Sequence, residues 1–214
     1  MTGLRRAYAA LRRFRRNQDG AALVELGLAI PLFLLLFMGI IDFGRMAFHY
    51  VVAERAMNVA ARVAAVRPPA CAGVPAIHRR DPSASGPPPS FGTSCRAGPD
   101  ICLDTGTVTC AGSAANATAN EIWALVRGAM PPDATIAALS FSYSYDGSLG
   151  FLGGPYVPVV TVELQNQTFE FVSPLGQLAA LAGSAGGSGL GAAVPFPPMS
   201  VSLPGEDLAL GESG

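Results

Sequence analysis

Lysine is absent from this chain of 214 residues, so all 14 basic side chains are arginine, a bias that fits GC-rich coding better than a function. Charge of either sign is scarce: 14% of residues are Asp, Glu, Lys or Arg, where about a quarter is usual for a soluble domain. The formal net charge of −1 gives no field to attract nucleic acid. Only two histidines, His49 and His78, and one tryptophan, Trp123, are present. A hydrolytic triad needs a nucleophile, a histidine base and an orienting acid, and no Gly-x-Ser-x-Gly elbow accompanies either histidine. Asp42, Phe43 and Gly44 spell a kinase tripeptide, but no lysine, glycine-rich loop or catalytic loop goes with it. The expectation is a non-enzyme with no cofactor, no small-molecule substrate and no nucleic-acid partner.

Half of the residues are hydrophobic, and their placement is uneven. Arg5, Arg6, Arg12, Arg13, Arg15 and Arg16 precede Gly20, offset only by Asp19. Residues 21–41 then form an almost unbroken apolar run whose one charge is Glu25. As a helix this run would span about 31 Å, the thickness of a hydrocarbon core. Pro31 lies inside it, which membrane helices tolerate. Under the positive-inside rule, residues 1–20 read as a basic cytoplasmic leader and 21–41 as a transmembrane helix, with the C-terminal bulk outside the cytoplasm. An ordinary secretory signal fits worse, because Glu25 and Pro31 interrupt the run and no A-x-A-type site follows it.

The helix is expected to continue over 42–66, from near Ala22 to near Val66. Phe43, Met46, Ala47, Tyr50, Val51, Met57, Ala60, Ala61 and Ala64 make an apolar stripe, and Asp42 and Arg45 are spaced to pair at i,i+3. Arg67, Pro68 and Pro69 end it. Residues 67–100 are rich in Pro, Gly, Ser and Ala and read as a loop. Residues 115–130 look helical, with Ile122, Trp123, Leu125, Val126 and Met130 as the apolar face. Strand patterns cover 135–145 and 157–171, an antiparallel hairpin across the glycine-rich turn 146–154. An apolar stretch (174–181), a flexible Gly/Ser/Ala segment (183–191) and a last short strand (199–203) complete the chain.

Cys71, Cys95, Cys102 and Cys110 all follow the apolar run. An even count outside the cytoplasm argues for two disulfides, with three connectivities open. The preferred pairing is Cys102–Cys110 across a short hairpin, leaving Cys71–Cys95 to close the proline-rich loop. Zinc is the weaker alternative, since no two cysteines have knuckle spacing and His78 stands alone nearby. The fold class is therefore α+β: a long N-terminal membrane helix extending into a small, disulfide-stapled domain over 67–214, with an antiparallel sheet and irregular loops. Asn116 and Asn166 each begin a glycosylation pattern, of a length that arises often by chance.

Glu25 stands out, because a carboxylate within an apolar span is costly and a functional candidate by default. A position near the headgroups at a helix N-terminus would account for its tolerance, but not for Gly20 five residues earlier behind a basic leader. That combination resembles type IV prepilins. With Pro31, Gly39, Asp42, Gly44 and the Ala60-Ala61-Arg62 end, residues 20–62 more closely resemble the TadE-like family of pseudopilins, or minor pilins, of the tight-adherence (Flp) pilus. The resemblance implies cleavage by a prepilin peptidase between Gly20 and Ala21, at the cytoplasmic face of a bacterial inner membrane. It also implies a role for Glu25 in assembly with other pilins and the Tad inner-membrane machinery. The outer domain would lie in the periplasm, or in a pilus at the cell surface. Leu26 stands where major Flp pilins commonly carry Tyr, and the chain is far larger than they are; both point to a minor component. An uncleaved, membrane-anchored periplasmic adaptor of the same system is the alternative.

Overall fold

The computed structural model describes residues 20–131, 134–184, 189–206 and 208. The basic leader up to residue 19 lies outside the described residues, as do 132–133 in the expected turn and 185–188 in the Gly/Ser/Ala segment. In chain order the elements are α1 (Ala21–Val66), β1 (Thr107–Ala111), α2 (Ala117–Val126), β2 (Leu139–Ser144), β3 (Val159–Leu164), β4 (Thr168–Phe169), α3 (Leu175–Leu181), β5 (Val194–Pro195) and β6 (Met199–Pro204). They fall into two compact units. One takes the chain through Met46 and adds Glu170–Ala193; the other holds Ala47–Phe169 and the chain from Val194 onward.

In the first unit, α1 begins where the carbonyl of Gly20 accepts the N–H of Val24 at 3.1 Å. Its 46 residues make a helix of about 69 Å, with the bounds expected from the sequence. Pro31 sits inside it and removes the N–H that would bond the carbonyl of Gly27. No residue of 21–41 is buried; Pro31, Leu34, Leu35, Met38 and Gly39 are half-buried, and Asp42 is the first fully buried position. Asp42 Oδ1 pairs with Arg45 Nη1 at 3.1 Å, as the i,i+3 spacing predicts. Its Oδ2 accepts the backbone N–H of Ser173 at 3.0 Å. Phe43 meets Phe171 edge-on, with ring centroids 5.5 Å apart. The short helix α3 buries Leu175 and Ala179.

In the second unit, α1 turns its alanine-rich stretch inward. Ala53, Ala56, Met57, Ala60, Ala61, Ala64 and Ala65 are buried, spaced three and four apart as one helix face requires. Such small side chains leave a smooth surface that allows a neighbouring layer to come close. The sheet has strand order β1-β2-β3-β6, every pair antiparallel. The expected hairpin forms with Phe141 opposite Val162 and Tyr143 opposite Val160, and all four are fully buried. The last strand, β6, pairs with β3, setting Val201 beside Val162. The opposite face is hydroxylic: Thr107–Ser144, Thr109–Ser142 and Thr161–Ser202 bond across strands at 2.7–3.1 Å. Period-2 alternation thus separates a greasy face from a neutral polar one.

Several expectations need correction. Residues 136–138 form a 3-10 turn ahead of β2. The second expected strand splits after Leu164, where Asn166 adopts a positive φ of 55°, and its remainder, β4, pairs with β5 instead. On α2, Ile122 and Val126 are buried, Met130 just beyond it is buried too, but Leu125 is 60% exposed and Trp123 only half-buried. The disulfides also differ from the preferred pairing: they are Cys71–Cys110 and Cys95–Cys102. The reason lies in β1. Asp104 accepts the N–H of Gly106 in a turn, and the strand that follows pairs with β2, setting Cys110 opposite Phe141. Cys71 arrives at the same place, because Ala70 donates its N–H to the Tyr143 hydroxyl at 2.8 Å. Cys102 is left to close a short loop with Cys95.

The proline-rich loop is no free excursion. His78 exchanges backbone hydrogen bonds with the glycine-rich turn: its N–H donates to the Gly154 carbonyl and its carbonyl accepts the Gly153 N–H, each 2.9 Å. Tyr156, Leu152 and Cys95 extend this pairing. Glycine is required at Gly150, where φ is +75° and a Cβ would collide with the His78 ring.

Candidate functional site

The start of α1 is the first candidate. Gly20 is the last residue before the helix, and its hypothetical Cβ would meet nothing within 4 Å among the described residues. The Gly20–Ala21 bond therefore coincides with the helix boundary, in an exposed backbone turn. Ala21 and Glu25 are both exposed and lie four residues apart, one turn of the same face. Around Glu25 the side chains are apolar and bare: Leu23, Val24 and Leu28 are 71%, 65% and 69% exposed. No residue of the apolar stretch 21–41 is fully buried within the protein. Exposing a Leu or Ile to water in place of burial costs about 1.5–3 kcal/mol each, so a run of this kind demands a non-aqueous environment.

The cysteine region is the second candidate. A ring nitrogen of His78 and the sulfurs of Cys95 and Cys102 lie within 4.8 Å of one another, all three buried. The sequence places His78 alone; folding brings it beside this pair through its bonds to the glycine-rich turn. The two sulfurs are joined to each other, and a disulfide sulfur is not the thiolate that binds metal. His78 Nε2 accepts the N–H of Val157 at 3.1 Å, which puts the proton of the neutral ring on Nδ1. Burial lowers its pKa below the ordinary 6.5. His49 lies tilted against Phe169, centroids 6.1 Å apart, and edge-on to Phe48 at 5.9 Å.

Asp42 is the residue that sequence reasoning undervalued. It is 1% exposed. Burial pushes its pKa up, but bonds from Ser173 and Arg45 outweigh that and hold it below the ordinary carboxylate value of 3.8. It acts as a fixed anion at the head of a chain return. The signal available was a carboxylate directly after an apolar span with arginine three residues on. Asn116, by contrast, loses its glycosylation reading: its Oδ1 caps α2 through the Ala119 N–H at 2.9 Å, and its Nδ2 donates to the Pro69 carbonyl at 3.2 Å.

No curated protein and no solved structure matches the chain. A family model described as TadE-like protein matches residues 20–62, the stretch from the glycine boundary through the bare apolar span into the alanine stripe, and this segment is accordingly TadE-like.

Proposed function

We propose that the protein is a minor pilin, or pseudopilin, of a tight-adherence (Flp-type) pilus system. The observation that carries this reading is the TadE-like match over residues 20–62, lying on a helix whose apolar start is wholly exposed. On this reading α1 anchors the chain in the bacterial inner membrane, with the outer domain on the periplasmic side. The role is structural, with assembly partners in place of a substrate.

Gly20 ends the leader, and a prepilin peptidase cuts before Ala21. The bond suits a protease cleft: it lies in an exposed turn, and Gly20 offers no side chain to exclude. The new Ala21 ammonium then meets Glu25 of a neighbouring subunit as helices assemble. Both charges lose water there, so each is stable only with the other. An unpaired Glu25 would oppose tight helix packing, which makes the carboxylate a register device as well as a charge partner.

Intact-mass analysis of the protein purified from its native membrane tests the reading. An N-terminus at Ala21 is expected. Retention of the arginine-rich leader would instead identify an uncleaved, membrane-anchored adaptor. Glu25→Ala should reduce recovery of the protein in sheared pilus fractions while leaving its membrane content unchanged; equal recovery would remove the role given to Glu25.

A further inference from the structure

Beyond the α1 span, we propose that residues 171–184 form a second lipid-contacting element, resting in the membrane leaflet at the C-terminal end of α1. The proposal rests on the reading of residues 21–41 as the membrane span. Three observations within one compact unit carry it.

The first is position. Asp42 directly follows the span, and its carboxylate holds the Ser173 N–H at 3.0 Å, while Phe43 meets Phe171. Residues 171–173 are thereby fixed at the level where α1 leaves the bilayer. The segment shares its unit with α1 up to Met46 and not with the later helix. The half-buried positions Pro31, Leu34, Leu35, Met38 and Gly39 on α1 recur every three to four residues and continue to Asp42. That stripe leads from the Asp42 clasp back along the apolar span.

The second is composition. Between Glu170 and Glu206 the sequence carries no charged residue. A surface segment of a soluble protein is rarely so bare, and each charge placed in hydrocarbon would be costly. The third is exposure. Leu175 and Ala179 of α3 are buried, yet Val172 and Leu181 are 74% and 69% exposed. These bare side chains continue the exposed apolar surface of α1. The occupant they fit is the same lipid that covers α1, with the α3 backbone bonded within its own turns.

Tryptophan fluorescence of the full-length chain in phosphatidylcholine–phosphatidylglycerol vesicles tests this, with the wild-type signal of Trp123 as baseline. Val172→Trp and Leu181→Trp each place a reporter at an exposed site. The added emission should be blue-shifted and mostly lost in vesicles whose lipids carry bromine near the top of the acyl chain. Phe33→Trp reports on the span and should be quenched most by bromine near the bilayer centre. Quenching at 33 without quenching at 172 and 181 overturns this inference and leaves the span intact. No quenching at 33 overturns both. Leu125→Trp, at an exposed position of α2, should stay unquenched; quenching there equal to that at 181 also overturns the inference, because the contact would then be unspecific.

Discussion

Asp42 and Ser173 are 131 residues apart in the chain and joined by a hydrogen bond of 3.0 Å from backbone N–H to carboxylate. This bond returns the chain to α1 after the sheet has been built. With Arg45 on its other oxygen at 3.1 Å, the carboxylate is saturated by donors, which is how a nearly inaccessible acid remains ionised.

Asp42→Ala should leave the Ser173 N–H without its acceptor and weaken the return by about 1–3 kcal/mol. Amide hydrogen exchange around Ser173 should accelerate, with the sheet amides unchanged. The wild-type protein should show the same local loosening in acid. Because the folded pKa lies below 3.8, the stabilisation is fully present above that value. It is lost as pH falls through the lower folded value. Protection at Ser173 that persists unchanged in Asp42→Ala would remove this role.

Non-reducing peptide mapping should recover Cys71 linked to Cys110 and Cys95 linked to Cys102. The two bonds close loops of very different size, with sequence separations of 39 and 7. Loop-closure entropy assigns about 4 kcal/mol to the first and about 2.5 kcal/mol to the second. A Cys71→Ser, Cys110→Ser double variant should therefore melt lower than a Cys95→Ser, Cys102→Ser one. The reverse order would mean that the small loop near His78 matters more than chain entropy allows.

Gly150→Ala should destabilise by about 1–3 kcal/mol from its left-handed backbone alone, and by more because the methyl group meets the His78 ring. Gly147→Ala, in the same turn without a positive φ, should cost less. Thermal unfolding of the two variants side by side checks the difference.

His78 should titrate below 6.5, since burial disfavours the imidazolium, and protonating Nε2 would break its bond from Val157. The unfolded chain takes up this proton near 6.5 and the folded chain resists it. The stability that His78 contributes is therefore intact above 6.5 and declines as pH falls below it, levelling off beneath the folded value. NMR titration of the imidazole gives the midpoint, and His78→Gln should remove that part of the pH dependence.

Local pattern made some of this structure readable from the chain itself. The bounds of α1, the pairing of β2 with β3, and the final strand β6 all follow from periodicity, and the Asp42–Arg45 pair follows from spacing. What depended on chain segments meeting at long range was not readable. The match between Cys71 and Cys110 hinges on Tyr143 accepting a bond from Ala70, which no periodicity encodes. The docking of His78 on the glycine-rich turn depends on Gly150 lacking a side chain. The return of Ser173 to Asp42 joins residues 131 apart in the chain. At the candidate site, Glu25 was legible because a charge in an apolar run is conspicuous, whereas Asp42 looked like an ordinary surface partner of Arg45.

The Cys71–Cys110 bond also sets a route for mechanical load. α1 ends at Val66, and Cys71 is tied to β1 a few residues later. Tension drawn through α1 therefore enters the sheet by a covalent link beside the Tyr143 hydroxyl. The proline-rich loop and the His78 region lie between the two cysteines, outside that covalent route. A protein pulled by its helix would load its sheet without first drawing out that loop.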